Sequence, residues 1–344
     1  VTVREVAAAY RKRLLQREGE ALVRIRGAWH WAEIRMLRRL LDLLERMAEE
    51  NPRRRISWLI EAERLQVLLR DIAAQIGEAS EITSRLIIGA QTDAVAMATA
   101  AAFDYYEAEG GALRIGAEWN RLPAEATKEL VGRFSDGSPL VDAFEKYPAQ
   151  GVAALEEELT VGIAQGKNPR DVARQIRRRI DVGVEIADGP GALVQEQARL
   201  LRGRSELIAR TEIVGSHRAA AVANYRANFE SCIGYRRLAS LDTRTCVACW
   251  ALHGRVYPLY VDPHEHPQCR CAVAPVFESS RPMTSGVEEF ENLSEAAKEE
   301  ILGPAKFEAY KAGEFGIRDY AATFDDAKWG PQVREQSLRR LRAG

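Results

Sequence analysis

Five residues in the last third of the chain have the types and spacing to hold a metal ion. Cys246 and Cys249 form a C-x-x-C pair, the spacing at which two thiolates from one tight turn reach one tetrahedral ion. His266, Cys269 and Cys271 follow in the run H-P-Q-C-R-C. Four positions are thus offered five candidates. One solution uses all four cysteines; the other replaces Cys269 or Cys271 with His266. Both fill the coordination shell with protein atoms and leave no position for water or substrate, the mark of structural rather than catalytic zinc. A catalytic Cys249–His266 pair would need a third orienting group and an oxyanion site, and nothing in the spacing supplies either. Cys232 stands outside the cluster and reads as a core residue, His253 as a turn residue and His264 as a loop residue.

The elements around these residues are short. Residues 234–241, 255–261 and 272–277 read as strands, a region with little apolar surface to bury, where a metal can supply folding free energy. Upstream, Asp188-Gly189-Pro190-Gly191 precedes a long helix from about Leu193 to Phe229. Inside it lies A-R-T-E-I, where Arg210 and Glu212 are two apart and so do not face each other. They are expected to meet different partners, such as the metal module folding back on the helix. Arg177, Arg178 and Arg179 form the densest basic run, with few aromatics interleaved to stack bases.

Further out, the pattern is helical. Leu37, Leu40, Leu41, Leu44 and Met47 share one stripe, and Leu65, Leu68, Leu69 and Ile72 resume it after the Asn51-Pro52 break. Ala94, Ala98, Ala101 and Ala102 permit close helix approach. Gly110-Gly111, Asp136-Gly137 and Pro139 mark breaks. Gly166 reads as a C-cap of a helix over 149–165, and Asn168 as the next N-cap. The tail from Ser294 reads as helix again, with Ser294 as N-cap and Gly303-Pro304 as a stop. The predicted fold is mainly α. A helical N-terminal region spans 1–150, a small α+β domain 151–276 with its zinc knuckle at 246–271, and an acidic, helical tail 277–344. The apolar stripes are expected to be completed by other chains, with a closed bundle as the alternative.

With 344 residues, 46% hydrophobic and 29% charged, the chain has the balance of a globular protein, and its formal net charge of −1 gives no overall pull toward nucleic acid or membrane. The charge is uneven. Residues 1–55 carry 14 basic residues against 8 acidic, 170–237 carry 13 against 8, and 275–326 carry 5 against 12. Such asymmetry suits several different neighbours. The opening V-T-V-R-E-V lacks the apolar core of a secretory leader, so synthesis in a cytosol is expected. The longest apolar run, Ala94 to Phe103, is too short to cross a bilayer, so no membrane partner is expected.

Taken together, the motifs resemble a family. The A-R-T-E helix at Arg210 to Glu212, the segment from Tyr235 to Cys249, the Leu252-His253-Gly254 that follows and the closing His266 to Cys271 look like the head-morphogenesis domain of phage Mu F-like minor capsid proteins. The resemblance covers roughly residues 150–276. It departs at Gln268, where Asn is usual, and at Tyr235, where Trp is common. The resemblance implies a low-copy virion protein at the capsid interior or portal vertex, assembled in the host cytoplasm, that acts in head assembly and in packaging or ejecting DNA. Its implied partners are the portal protein, other head proteins and phage DNA, with no small-molecule substrate and no enzymatic activity. Two alternatives are carried beside it. One is a nucleic-acid-binding module that holds the DNA end through Arg177–Arg179; the other is a metal-dependent hydrolase, which would need an open metal position.

Overall fold

A computed structural model describes residues 1–50, 62–109, 129–134, 137–163, 169–326 and 330–343. The breaks read at Asn51-Pro52 and Gly110-Gly111, Asp136, the Gly166 and Asn168 caps and the Met47 side chain lie outside what is described. Long helices dominate. Helix α1 spans Val3–Glu50, α2 Ala62–Ala108, α3 Leu140–Glu145, α4 Tyr147–Ile163, α5 Pro169–Val182 and α6 Pro190–Ala227. After α6 come β1 (Gly234–Leu238), α7 (Val247–Leu252), β2 (Val256–Tyr257) and β3 (Ala272–Val276).

The predicted stripes are core. Leu37, Leu40, Leu44, Leu65, Leu68, Leu69 and Ile72 are buried, as are Ala94, Ala98, Ala101 and Ala102. Burial within this chain therefore already accounts for surfaces that the sequence left for other chains. By length and hydropathy alone, Arg64–Ala108 could cross a membrane, but its alanine stripe is core here.

The chain forms two compact units. The first comprises Val1–Glu18, Gly89–Ser138 and Arg210–Gly344, the second Gly19–Ile88 and Pro139–Ala209. Both are discontinuous in sequence, so they address compactness and not the linear division at 150 and 276.

In the first unit the strands form one antiparallel sheet of order β2-β1-β3, with Tyr235 opposite Tyr257 and Arg237 opposite Val273. Side chains alternate across a strand. Tyr235 and Val273 accordingly join a core with Ala98 of α2 and Ala221 and Tyr225 of α6, while Leu238 and Ala274 join Val6 and Tyr10 of α1. The same alternation sends two consecutive arginines to opposite faces. Arg236 reaches the Arg281 carbonyl at 3.2 Å on one side, and Arg237 reaches the cysteine cluster on the other.

The tail is more varied than its helical reading. Helices α8 (Gly286–Glu291), α9 (Glu295–Leu302), α10 (Pro304–Lys311) and α11 (Leu338–Leu341) are present, with Ser294 capping α9 as expected. Gly303, at φ 71°, ends α9 and Pro304 begins α10. Between α10 and α11, however, β4 (Ala321–Asp326) pairs antiparallel with β5 (Gly330–Glu335). Phe290, Leu302, Phe307, Ile317 and Tyr320 pack on Val247 and Trp250 of α7, so the tail supplies a core for the knuckle helix.

Candidate metal centre

The loop that delivers the first cysteine is built from its own polar side chains. The Thr245 hydroxyl donates to Asp242 Oδ1 at 2.9 Å, and the Arg244 N–H donates to the same oxygen at 3.1 Å. This turn, with Leu241 in the left-handed region at φ 56°, sets Cys246 as the N-cap of α7. Cys249 follows in the first turn of that helix, buried on the same side. The second half of the cluster comes from the loop before β3. There Gln268 takes the left-handed conformation at φ 63°, and its N–H donates to Thr211 Oγ1 at 3.2 Å. Asn adopts that conformation more readily than Gln, a physical reason for the Asn of the resembled pattern.

All five predicted residues are brought together. Cys246, Cys249 and His266 form one group and Cys249, Cys269 and Cys271 another, each with ligand atoms within 4.8 Å of one another. Cys249 belongs to both. His266 Nε2 lies 3.3 Å from Cys246 Sγ and 3.4 Å from Cys249 Sγ, and Cys249 Sγ lies 3.8 Å from Cys269 Sγ. A tetrahedral ion with Zn–S near ~2.3 Å and Zn–N near ~2.0 Å requires edges of about 3.8 Å between sulfurs and about 3.5 Å between sulfur and nitrogen. The cluster therefore has the dimensions and donor set to hold a metal. His266 Nδ1 lies 2.9 Å from the Pro267 carbonyl, so an Nδ1–H donated there turns Nε2 toward the sulfurs, as in metal-bound histidines.

Proton sharing within the cluster follows the same geometry. A hydrogen bond from Cys249 holds the Cys246 thiol down, to about 4. Burial opposes charge on His266, but hydrogen bonds to Cys246 and Cys269 prevail and raise it to about 10. Hydrogen bonds from Cys249 and Cys271 hold Cys269 well below the ordinary thiol range. Hydrogen bonds with Cys246 and Cys269 instead raise Cys249 well above that range. A hydrogen bond with Cys249 lowers Cys271, but one with Cys269 together with burial prevails and raises it. Cys246 and Cys269 are thus the two poised as thiolates, the form that binds metal.

Several residues around the cluster gave no signal in the sequence. Arg218 of α6, 5% exposed, donates to the Cys269 carbonyl at 2.9 Å and the Cys271 carbonyl at 3.3 Å. Arg237 donates to Cys249 Sγ at 3.3 Å, to Cys269 Sγ at 3.7 Å and to Glu265. Glu18 of α1, 2% exposed, accepts from Arg270 at 3.0 Å, with Arg210 Nε at 3.9 Å. The Val333 N–H of β5 donates to the His264 carbonyl at 3.2 Å. Cys232 is core, its thiol raised by burial, and His253 is buried, its Nδ1 accepting from the Ala239 N–H at 3.0 Å.

The remaining predicted contact residues are dispersed. Glu212 is buried and lines a cavity of about 430 Å³ with Ser216, Arg218, Asp262 and Glu265. In the other unit, Arg177 pairs with Glu45 at 2.5 Å, Arg179 pairs with Glu33 at 2.8 Å, and Arg178 is exposed.

Fold and cluster define a mainly helical protein carrying a small Cys/His module able to hold a metal. Residues 153–274 match the family model described as phage Mu protein F like protein, so the chain carries a phage Mu F-like domain in that segment. Comparison with curated proteins and with solved structures returns no match.

Proposed function

We propose that this chain is a structural minor capsid protein of a tailed phage or phage-like particle, associated with the portal vertex. It acts there in head assembly and in packaging or ejecting DNA. Its Cys/His cluster holds one structural zinc ion and does no chemistry. The observation that carries the reading is the position of the cluster inside the matched segment, where two groups of three close ligand atoms share Cys249 and together offer five protein ligands. Zinc is favoured over harder cations because the donors are thiolates and an imidazole. The packing agrees with a structural role: Arg218, Thr211 and Arg270 tie the knuckle to α6 and α1, so an ion there would brace three elements at once.

The nucleic-acid alternative has less to support it. Arg177 and Arg179 are paired with Glu45 and Glu33, although Arg177 stays exposed beside the exposed Arg178. A metal hydrolase would need an open coordination position, whereas five protein ligands compete here for four. The proposal is tested by removing this chain from the particle. Assembly without it should give heads that are malformed, lack DNA or fail to eject it, while in intact particles the chain should cross-link to the portal protein. Normal, infectious heads without the chain, or its absence from purified particles, would overturn the reading.

A further inference from the structure

Arg237 makes contacts that a purely structural ion pair does not require. Its side chain is 3% exposed and that of Glu265 6%. One carboxylate already balances one guanidinium, yet Nη2 of Arg237, the nitrogen that meets Glu265, also lies 3.3 Å from Cys249 Sγ and 3.7 Å from Cys269 Sγ, its two N–H groups shared among the three acceptors. Arginine stays protonated in proteins, so its hydrogen bonds to sulfur are strongest when the sulfur is a thiolate. A divalent ion bound by three or four thiolates is itself a net anion. Buried as deeply as Cys249 and Cys269 are, at 3% and 2% exposure, such a group needs a cation beside it.

We infer that Arg237 is a positioning residue of the metal centre. It hydrogen-bonds the thiolates of Cys249 and Cys269, offsets the negative charge of the metal–thiolate group, and so selects those two sulfurs as ligands. Glu265 orients the guanidinium and is not itself a ligand. Strand register makes this possible: Arg237 lies opposite Val273, two residues past Cys271, so β1 carries the guanidinium alongside the incoming C-R-C turn. The competing assignment has Glu265 as a metal ligand, since its Oε2 lies 3.1 Å from Cys269 Sγ. A hard oxygen is the poorer partner for an ion in a thiolate site.

This inference rests on the cluster being a metal centre, and one experiment separates the two claims. The full chain, Arg237→Gln, Arg237→Lys and Glu265→Gln are each titrated with Zn(II) and with Co(II), whose sulfur-to-cobalt absorption reports thiolate ligation. Arg237→Gln should bind Zn(II) about 10- to 100-fold more weakly, as expected when an outer partner of a metal ligand is lost. Its charge-transfer band should move to lower energy, because the thiolates lose a hydrogen-bond donor. Arg237→Lys should recover part of both effects, and Glu265→Gln should keep thiolate ligation and most of the affinity. If Arg237→Gln does not fold, Arg237→Lys carries the test, since it keeps the charge on a shorter side chain that falls short of the two sulfurs; an unchanged band and affinity there overturns the inference. So does a folded Arg237→Gln that binds like the parent, or loss of metal in Glu265→Gln alone. A parent chain that binds no metal would instead overturn the metal centre itself.

Discussion

Two buried histidines near the knuckle make the stability of the first unit depend on pH. His217 of α6 is buried next to Arg218, and burial followed by that charge depresses it to about 4; among the described residues its Nε2 has no hydrogen-bond partner. His253 is likewise depressed by burial, to about 4, with Arg4 as the next cause. Both fold as neutral imidazoles, so the unfolded chain binds more protons between about pH 6.5 and pH 4. Their contribution is fully present above about 6.5 and is lost as pH falls toward 4, on the order of 3 kcal/mol for the wholly buried His217 and less for His253, which faces Glu289 as well as Arg4. Denaturant midpoints across that window should fall less steeply for His217→Asn than for the parent; parallel slopes would contradict the assignment. At this scale the ligand types were legible from the sequence because C-x-x-C and H-x-x-C-x-C are local patterns. Arg237, Glu265 and Arg218 were not. Their roles come from strand register and from a helix tens of residues away, which no short spacing encodes. Gln268 was noticed only as a departure, and its left-handed backbone supplies the reason.

Among the elements, the knuckle helix α7 depends on what the tail packs against it. Ser285 caps α8 in a reciprocal box, its hydroxyl accepting from the Glu288 N–H at 3.2 Å while Glu288 accepts from the Ser285 N–H at 2.7 Å. That box brings Gly286 onto α7. A Cβ at Gly286 would overlap the Trp250 carbonyl oxygen and stand 2.8 Å from His253 Cβ and 2.9 Å from the Trp250 carbonyl carbon. The neighbour is largely backbone and cannot rotate away. Gly286→Ala should therefore destabilise the first unit by about 1–3 kcal/mol, read as a lower denaturant midpoint and weaker protection of α7 amides from exchange. An unchanged midpoint would mean that α8 does not seat on α7 as described. The long helices were legible because their apolar stripes recur over many turns, and the N-cap at Ser294 because capping is local. The β4–β5 pair was hidden. Its segments, A-A-T-F-D-D and G-P-Q-V-R-E, show no clean alternation, and β5 is bridged at Val333 to Glu265, a contact far away in sequence.

For the whole molecule, the two compact units share α1, α2 and α6 yet contain different chemistry. The second unit holds one arginine of its basic run, Arg179, against the buried Glu33, while the first gathers all five candidate ligands. Compact units assembled from distant segments could not be read from a linear pattern, nor could the burial of stripes that periodicity alone leaves open to a partner. The metal–thiolate centre proposed for the first unit is a closed one. The most direct measurement combines elemental analysis of the reduced, purified chain with X-ray absorption at the zinc edge, applied to the parent and to Cys249→Ser. The parent is expected to hold one zinc per chain, with nearest neighbours of sulfur, at most one nitrogen and no water oxygen, and Cys249→Ser to lose stoichiometric zinc. That variant should also lose exchange protection across residues 240–276 well before the second unit does. A parent chain without stoichiometric metal, or with an oxygen-bearing open position at the ion, would contradict the closed centre.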